Sequence, residues 1–231
     1  MKVAVIVFPG TNCEHDVAHA VEGLGATAQL VWHRETSLAP FDAAILPGGF
    51  AHGDYLRTGA IARFSPVMAE VEAMAASGAP VLGICNGFQV LCEAGLLPGA
   101  LVANRDLRFI CRHVHVRVEH GKSLLTRDTE PGQVLRMPLN SYQGNWVAAA
   151  AELEGIERRG QVLLRYCAAD GTVDDALSPN GSTRSIAAIC NEAGNVTGIM
   201  PHPERASEAV LGSVDGLVLL RSFLSAAPAL R

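Results

Sequence analysis

Short apolar runs separated by longer amphipathic stretches fill the first half of the chain. Each run has five or six residues, and such runs are typical of strands that are buried on both faces of a sheet. The runs that we predict to be strands are Val3–Phe8, Ala28–Trp32, Ala43–Pro47 and Pro80–Ile84.

Two of the longer stretches have the apolar spacing of helices. The first covers Asn12–Gly25 and the second covers Thr58–Gly78, and each ends at a glycine, a common residue just after a helix. Strands that alternate with helices predict a parallel sheet with helices on both faces.

After Leu96 the pattern changes to that of antiparallel strands. Segments 113–120, 133–139 and 161–167 are strand-like, and 185–200 has two apolar runs around a Glu-Ala-Gly-Asn turn. A last helix is expected at Val214–Ala226. We therefore predict one α/β domain over residues 1–231: an open, mostly parallel sheet with helices on both faces and extra antiparallel strands in the second half.

Composition and charge exclude several classes of protein. Hydrophobic residues make up 49% and charged residues 18%, which fits a compact soluble protein. The net charge is −5 and there is no basic stripe, so we expect no nucleic-acid partner. No apolar run approaches the roughly 18 residues of a membrane span, and the first run is too short for a signal peptide. Six cysteines without pairing spacings indicate reduced thiols and a cytoplasmic location.

A cysteine stands between two glycines where the apolar run Pro80–Ile84 ends. The order strand, Gly83-Ile-Cys85-Asn-Gly87, then helix is that of a nucleophile turn, which lifts a reactive side chain out of the sheet. A helix that starts near Asn86 directs its positive end at Cys85 and favours the thiolate. A buried cysteine in a glycine-flanked strand end is the alternative.

The segment GIMPHPERAS supplies a base for that nucleophile and a residue to orient it. His202 and Glu204 lie two residues apart, so in an extended segment both side chains share one face. His202 would accept the proton of Cys85, while Glu204 would fix the imidazole tautomer. A surface loop in which Glu204 caps a helix is the alternative.

The pair Gly48-Gly49 follows another predicted strand. Consecutive glycines can expose backbone N–H groups, and the amides of Gly49 and Asn86 would form an oxyanion hole for acyl transfer. A phosphate cradle is the competing interpretation, but no Gly-Lys-Ser/Thr sequence follows.

Together these motifs resemble the class I (triad) glutamine amidotransferases, whose fold is flavodoxin-like. The resemblance rests on G-x-C-x-G-x-Q at Gly83–Gln89, P-G-G at Pro47–Gly49 and H-P-E at His202–Glu204. It implies hydrolysis of L-glutamine through a cysteine thioester, and it places Gln89 and Gly48 beside the bound glutamine.

Five longer segments resemble one branch of this family, whose members supply ammonia to a separate synthetase of purine biosynthesis. These segments are residues 5–16, 46–60, 83–101, 178–196 and 200–207. The resemblance implies two partners, a large synthetase subunit and a small accessory subunit. This chain has no Walker-type loop, so ATP and Mg are expected on the large subunit, and no cofactor or metal is expected here. An amidotransferase for another synthetase, a free-standing cysteine hydrolase and an inactive scaffold are the alternatives.

Segment Leu139–Trp146 departs from the family pattern. The family has a His-Gly-acid-Gly run here, whereas this chain has Ser141 in the histidine position and Gln143 in the acid position. The departure leaves the three triad candidates intact and bears on substrate contact or partner docking.

Other polar groups give weaker signals. Two sets of residues could in principle bind a metal ion. An ordinary strand face for the first set and an ordinary helix surface for the second are favoured instead, because metal-ligand spacings are absent. The sets are Cys111 with His113 and His115, and Cys13 with His15 and His19. Cys13 itself is interpreted as a turn residue, and Asp54, Tyr55 and Arg57 as either a polar loop or part of the boundary with the synthetase.

Overall fold

The computed structural model describes residues 1–120 and 123–226. The strands are β1 (Lys2–Val7), β2 (Thr27–Trp32), β3 (Ala43–Leu46), β4 (Val81–Ile84), β5 (Ala100–Val102), β6 (Ile110–Val118), β7 (Val134–Ser141), β8 (Asn145–Val147), β9 (Val162–Cys167), β10 (Ile186–Cys190) and β11 (Val196–Ile199). The helices are α1 (Glu14–Gly23), α2 (Pro66–Ala76), α3 (Asn86–Glu93), α4 (Ala150–Arg158) and α5 (Gly216–Leu224).

Within the described residues, nine strands form one sheet in the order β2-β1-β3-β4-β11-β10-β9-β6-β7. The first five strands are parallel to their neighbours, and their order is that of a flavodoxin-like sheet. The remaining four extend the sheet with antiparallel pairings. This confirms the predicted fold class, including the antiparallel strands contributed by the second half.

The register of three adjacent parallel strands brings distant parts of the sequence to one edge. Leu46 pairs with Gly83, and Ile84 pairs with Ile199, so β3, β4 and β11 end side by side. The carboxyl ends of parallel strands are where open α/β sheets bind ligands. The three segments with predicted chemistry all follow directly from these ends.

Glycines let helix α3 lie unusually close to the sheet. A β-carbon at Gly87 would lie 1.9 Å from the carbonyl oxygen of Leu46 in β3. One at Gly198 in β11 would lie 2.1 Å from the ring of Phe88. Both glycines are required for this close approach, which holds the start of α3 against the strand ends.

The predicted helix at Thr58–Gly78 is wrong in its first half. The chain instead forms a short 3-10 turn at Ala62–Phe64, and α2 begins at Pro66. The residue before a proline is disfavoured in the helical conformation, and Ser65 is accordingly extended (φ −66°, ψ 142°). The structure also contains two short strands, β5 and β8, and a helix, α4, that were not predicted from the sequence.

Candidate active site

Cys85 occupies a sharp turn between β4 and α3. Its φ of 50° and ψ of −104° are unusual for a residue with a β-carbon, and its N–H donates to the carbonyl of Ile199 at 2.8 Å. Such strained conformations persist where the surrounding structure enforces them, as at nucleophile turns. The side chain is 5% exposed and lies at the positive end of α3.

His202 follows β11 and faces the same turn. Its backbone N–H donates to the carbonyl of Pro138 at 2.8 Å, and its Nδ1 lies 2.6 Å from Oε1 of Glu204. Burial by itself would lower the pKa of the imidazole. The charge of Glu204 and the neighbouring Cys85 act in the opposite sense and prevail, so the pKa of His202 lies well above its ordinary value. The site therefore favours a protonated imidazole beside the cysteine.

Gly48 makes the approach of these groups possible. A β-carbon there would lie 2.7 Å from Cε1 of His202 and 3.5 Å from Cβ of Cys85. Any side chain at position 48 would therefore displace the imidazole from the cysteine. The structure thus brings together the three triad candidates and the glycine between them.

The two predicted oxyanion donors belong to separate backbone turns. Gly49 has a φ of 148°, and its neighbours Asn12 and Phe50 donate to the carbonyls of Gly48 and Gly10 at 3.2 and 2.9 Å. These bonds fix the turn and leave the Gly49 amide without a backbone acceptor in the described part of the chain. Asn86 begins α3, where the first amides have no acceptor within the helix. Both N–H groups are therefore available to an oxyanion.

Gln89 is engaged at both ends of its amide. Its Oε1 accepts from Asn86 Nδ2 at 2.8 Å, and its Nε2 donates to the carbonyl of Gln143 at 2.6 Å. The side chain of Gln143 in turn accepts from Thr58 Oγ1 at 3.0 Å. Gln89 thus links helix α3 to the segment Leu139–Trp146, which departs from the family pattern. This positioning role was not predicted from the sequence.

A pocket of about 110 Å³ opens beside Cys85 and His202. Two further charged side chains line it, Asp54 and Arg205. Its remaining lining comes from four loops, the end of β7 and helix α3: Asn12, Cys13, Gly49, Phe50, Thr58, Gln89, Phe109, Asn140, Ser141, Tyr142 and Gln143.

Cys13 also lies in this site, a position that was not predicted from the sequence. It precedes α1, as a turn residue would, but its side chain is buried, and Arg205 Nη2 donates to its sulfur at 3.2 Å. Ligand atoms of Cys13, His202 and Glu204 lie within 4.8 Å of one another. The only local signal in the sequence was a cysteine followed by an acidic helix start.

The other weak metal candidates lie apart from this pocket. Among the described residues they form no cluster of three ligand atoms. Cys111 is exposed on β6, and His19 pairs with Glu208 on the surface.

Arg57 makes a bidentate ion pair with Glu93, at 2.7 Å for each contact.

Residues 1–215 match the family model described as a CobB/CobQ-like glutamine amidotransferase domain. The chain belongs to this family of glutamine amidotransferases. The amidotransferase is 53% identical over 227 residues to the phosphoribosylformylglycinamidine synthase subunit PurQ of Rubrobacter xylanophilus, a match that covers 98% of this chain and 99% of the relative. It is also 53% identical to the subunit of that name from Trichormus variabilis, over the whole length of both chains. The family resemblance inferred from the motifs is therefore confirmed.

Solved structures give the same result. The amidotransferase superposes on a chain of PurLQS from Thermotoga maritima with a TM-score of 0.87, 39% identity and 97% coverage of both chains. The glutaminase domain of Trypanosoma brucei CTPS, solved with bound acivicin, has a TM-score of 0.63 at 14% identity and shares the fold alone. In the described part of the amidotransferase, no helix is long and apolar enough to cross a membrane.

Proposed function

We propose that this chain is the glutaminase subunit of a phosphoribosylformylglycinamidine synthase and that residues 1–231 act as one catalytic domain. It would supply ammonia for the conversion of formylglycinamide ribonucleotide to its amidine in cytoplasmic purine biosynthesis. One observation carries the proposal: in a chain that matches PurQ subunits over its full length, Cys85 and His202 line one pocket at the strand ends, and Glu204 bonds to Nδ1 of His202.

Cys85 acts as the nucleophile in this mechanism. Its thiolate attacks the side-chain amide carbon of glutamine, and the imidazolium of His202 protonates the departing ammonia. A γ-glutamyl thioester is left on Cys85. His202, now neutral, takes a proton from water, which hydrolyses the thioester to glutamate.

The surrounding groups stabilise the charges that develop during these reaction steps. Glu204 holds the imidazole through Nδ1 and balances its positive charge in both steps. The amides of Gly49 and Asn86 donate to the oxyanion of each tetrahedral intermediate. Gly48 leaves room for the imidazole, and Gln89 positions the segment around Gln143 beside the substrate.

The synthetase reaction takes place on partner subunits. The name PurLQS of the Thermotoga maritima structure supports a complex with a large synthetase subunit, which would bind ATP and Mg, and with a small accessory subunit. Tyr55 and Leu56 follow the pocket residue Asp54 in the chain and are 70% and 80% exposed. They offer an apolar contact for the large subunit next to the glutaminase site.

Reconstitution of the complex tests this function. Cys85→Ala should abolish amidine synthesis from glutamine but retain synthesis from added ammonium salt, because the cysteine serves only to release ammonia. Cys111→Ala, a change at an exposed cysteine on β6, is the matched control and should retain both activities. Loss of the ammonia-driven reaction in an assembled Cys85→Ala complex would contradict the proposed division of labour. Glutaminase activity without any stimulation of amidine synthesis would favour a free-standing hydrolase.

A further inference from the structure

Asp54 is a partly buried carboxylate that lines the pocket. Among the residues that the structure describes, its hydrogen-bond partner is a neutral amide, Asn86 Nδ2, at 3.3 Å from Oδ1. No ion pair within the described residues includes it. By contrast, Arg205, the pocket's other charged side chain apart from the triad, is paired with Asp16 at 3.0 Å.

The position of Asp54 fits the far end of the substrate. The carboxylate is bonded to the side chain of Asn86, and Asn86 directly follows Cys85 in the chain. In glutamine the α-nitrogen is four bonds from the amide carbon, a reach of roughly 5 Å at bond lengths near 1.5 Å. A glutamine whose amide lies at Cys85 can therefore extend its α-ammonium group towards Asp54 along the same pocket.

The electrostatics around Asp54 favour a cationic ligand group. Burial raises the pKa of Asp54 to about 6, against the opposing effect of the hydrogen bond from Asn86. A carboxylate in this setting gains more from an ammonium group than one in water would, because part of its hydration is already lost.

We propose that Asp54 binds the α-ammonium group of glutamine and thereby selects an α-amino acid over a simple amide. The inference rests on the proposed glutaminase function and adds a specificity residue to it. Asp54 is a positioning residue for the substrate and takes no part in the proton transfers.

The test compares glutamine with glutaramate, which has the same amide and carboxylate but no α-amino group. Dissociation constants of both are measured by calorimetry on the Cys85→Ala complex, which binds without turnover, with and without Asp54→Asn. Truncating one partner of a buried hydrogen-bonded charge pair costs a factor of about 30 to 5000 in affinity. Asp54 is only partly buried. Asp54→Asn should therefore weaken glutamine binding by about 30-fold, the lower end of that range, and change glutaramate binding less than about threefold.

Each result decides a separate question. Equal weakening of both ligands would overturn the proposal and show that Asp54 acts by holding Asn86, and unchanged glutamine binding would also overturn it. Binding of neither ligand to the assembled Cys85→Ala complex would count against the proposed function itself. Asp106→Asn, at an exposed aspartate, is the control and should leave both constants unchanged. Should Asp54→Asn fail to assemble, Asp54→Glu serves instead: retained preference for glutamine over glutaramate supports the proposal, and loss of that preference overturns it.

Discussion

Replacing Glu204 with glutamine removes a charge from the buried partner of His202 while keeping a hydrogen-bonding group in its place. The side chains of both residues are almost fully buried, at 2% and 0% exposure, and the contact between Nδ1 and Oε1 is 2.6 Å. A hydrogen bond to a charged group contributes about 1.5–3 kcal/mol, which corresponds to roughly 10- to 150-fold in rate. At an effective dielectric constant of about 20, the full attraction over this distance is roughly 6 kcal/mol, which sets an upper limit near 10⁴-fold.

We therefore expect Glu204→Gln to lower the turnover of glutamine by about 10²- to 10³-fold, with a change in KM of less than about threefold. The charge of Glu204 raises the pKa of His202, so its removal lowers that pKa. The protonated imidazole is then lost at lower pH, and the alkaline limb of the pH profile moves to lower pH. Steady-state release of ammonia by the complex, measured across a pH series, gives the turnover, the KM and the position of the alkaline limb.

Glu208→Gln is the matched control, because this glutamate pairs with a histidine, His19, on the exposed surface. It should change neither turnover nor the pH profile, since exposed pairs of this kind contribute little. Wild-type turnover in Glu204→Gln would refute the role assigned to the carboxylate. A rise in KM at unchanged turnover would refute it as well, because it would place Glu204 in substrate binding.

Two glycine replacements should have opposite effects on stability. Gly87→Ala should lower the free energy of unfolding by about 3 kcal/mol or more, because the new β-carbon would lie 1.9 Å from a backbone oxygen that α3 cannot avoid. Gly23→Ala should raise it by about 0.5 kcal/mol, because Gly23 is the last residue of α1 and a β-carbon there meets no atom within 4 Å. Denaturant unfolding measures both, and a stable Gly87→Ala protein would contradict the packing described for α3.

The sequence predicted most of the fold because its strands are apolar and short. It also predicted the site through residues that directly follow strand ends, since the end of a parallel strand fixes where the next residue lies. Cys85 and His202 are 117 positions apart, yet both could be placed at one sheet edge from the strands before them. The helix start at Pro66 differs from the prediction because the apolar spacing of a helix continues through residues 58–65, whereas the proline holds Ser65 extended.

The parts of the site that were missed depend on side-chain contacts between loops. Cys13 and Arg205 meet across 192 positions, and the bond from Gln89 reaches the carbonyl of Gln143 in a segment without regular periodicity. Asp54 follows two residues, His52 and Gly53, that also have positive φ. The pattern of apolar residues does not encode such backbone turns, so from the sequence Asp54 is either a polar loop residue or part of the boundary with the synthetase.

Two buried thiols, Cys85 and Cys13, lie beside His202, so the identity of the nucleophile is the central claim. The most direct measurement is peptide mass spectrometry of the complex, quenched in acid during turnover of isotopically labelled glutamine. The account predicts a labelled γ-glutamyl group on the peptide that contains Cys85, in the wild type and in Cys13→Ser alike, and no label in Cys85→Ala. A label on Cys13, or a labelled protein after Cys85→Ala, would contradict the mechanism proposed for this chain.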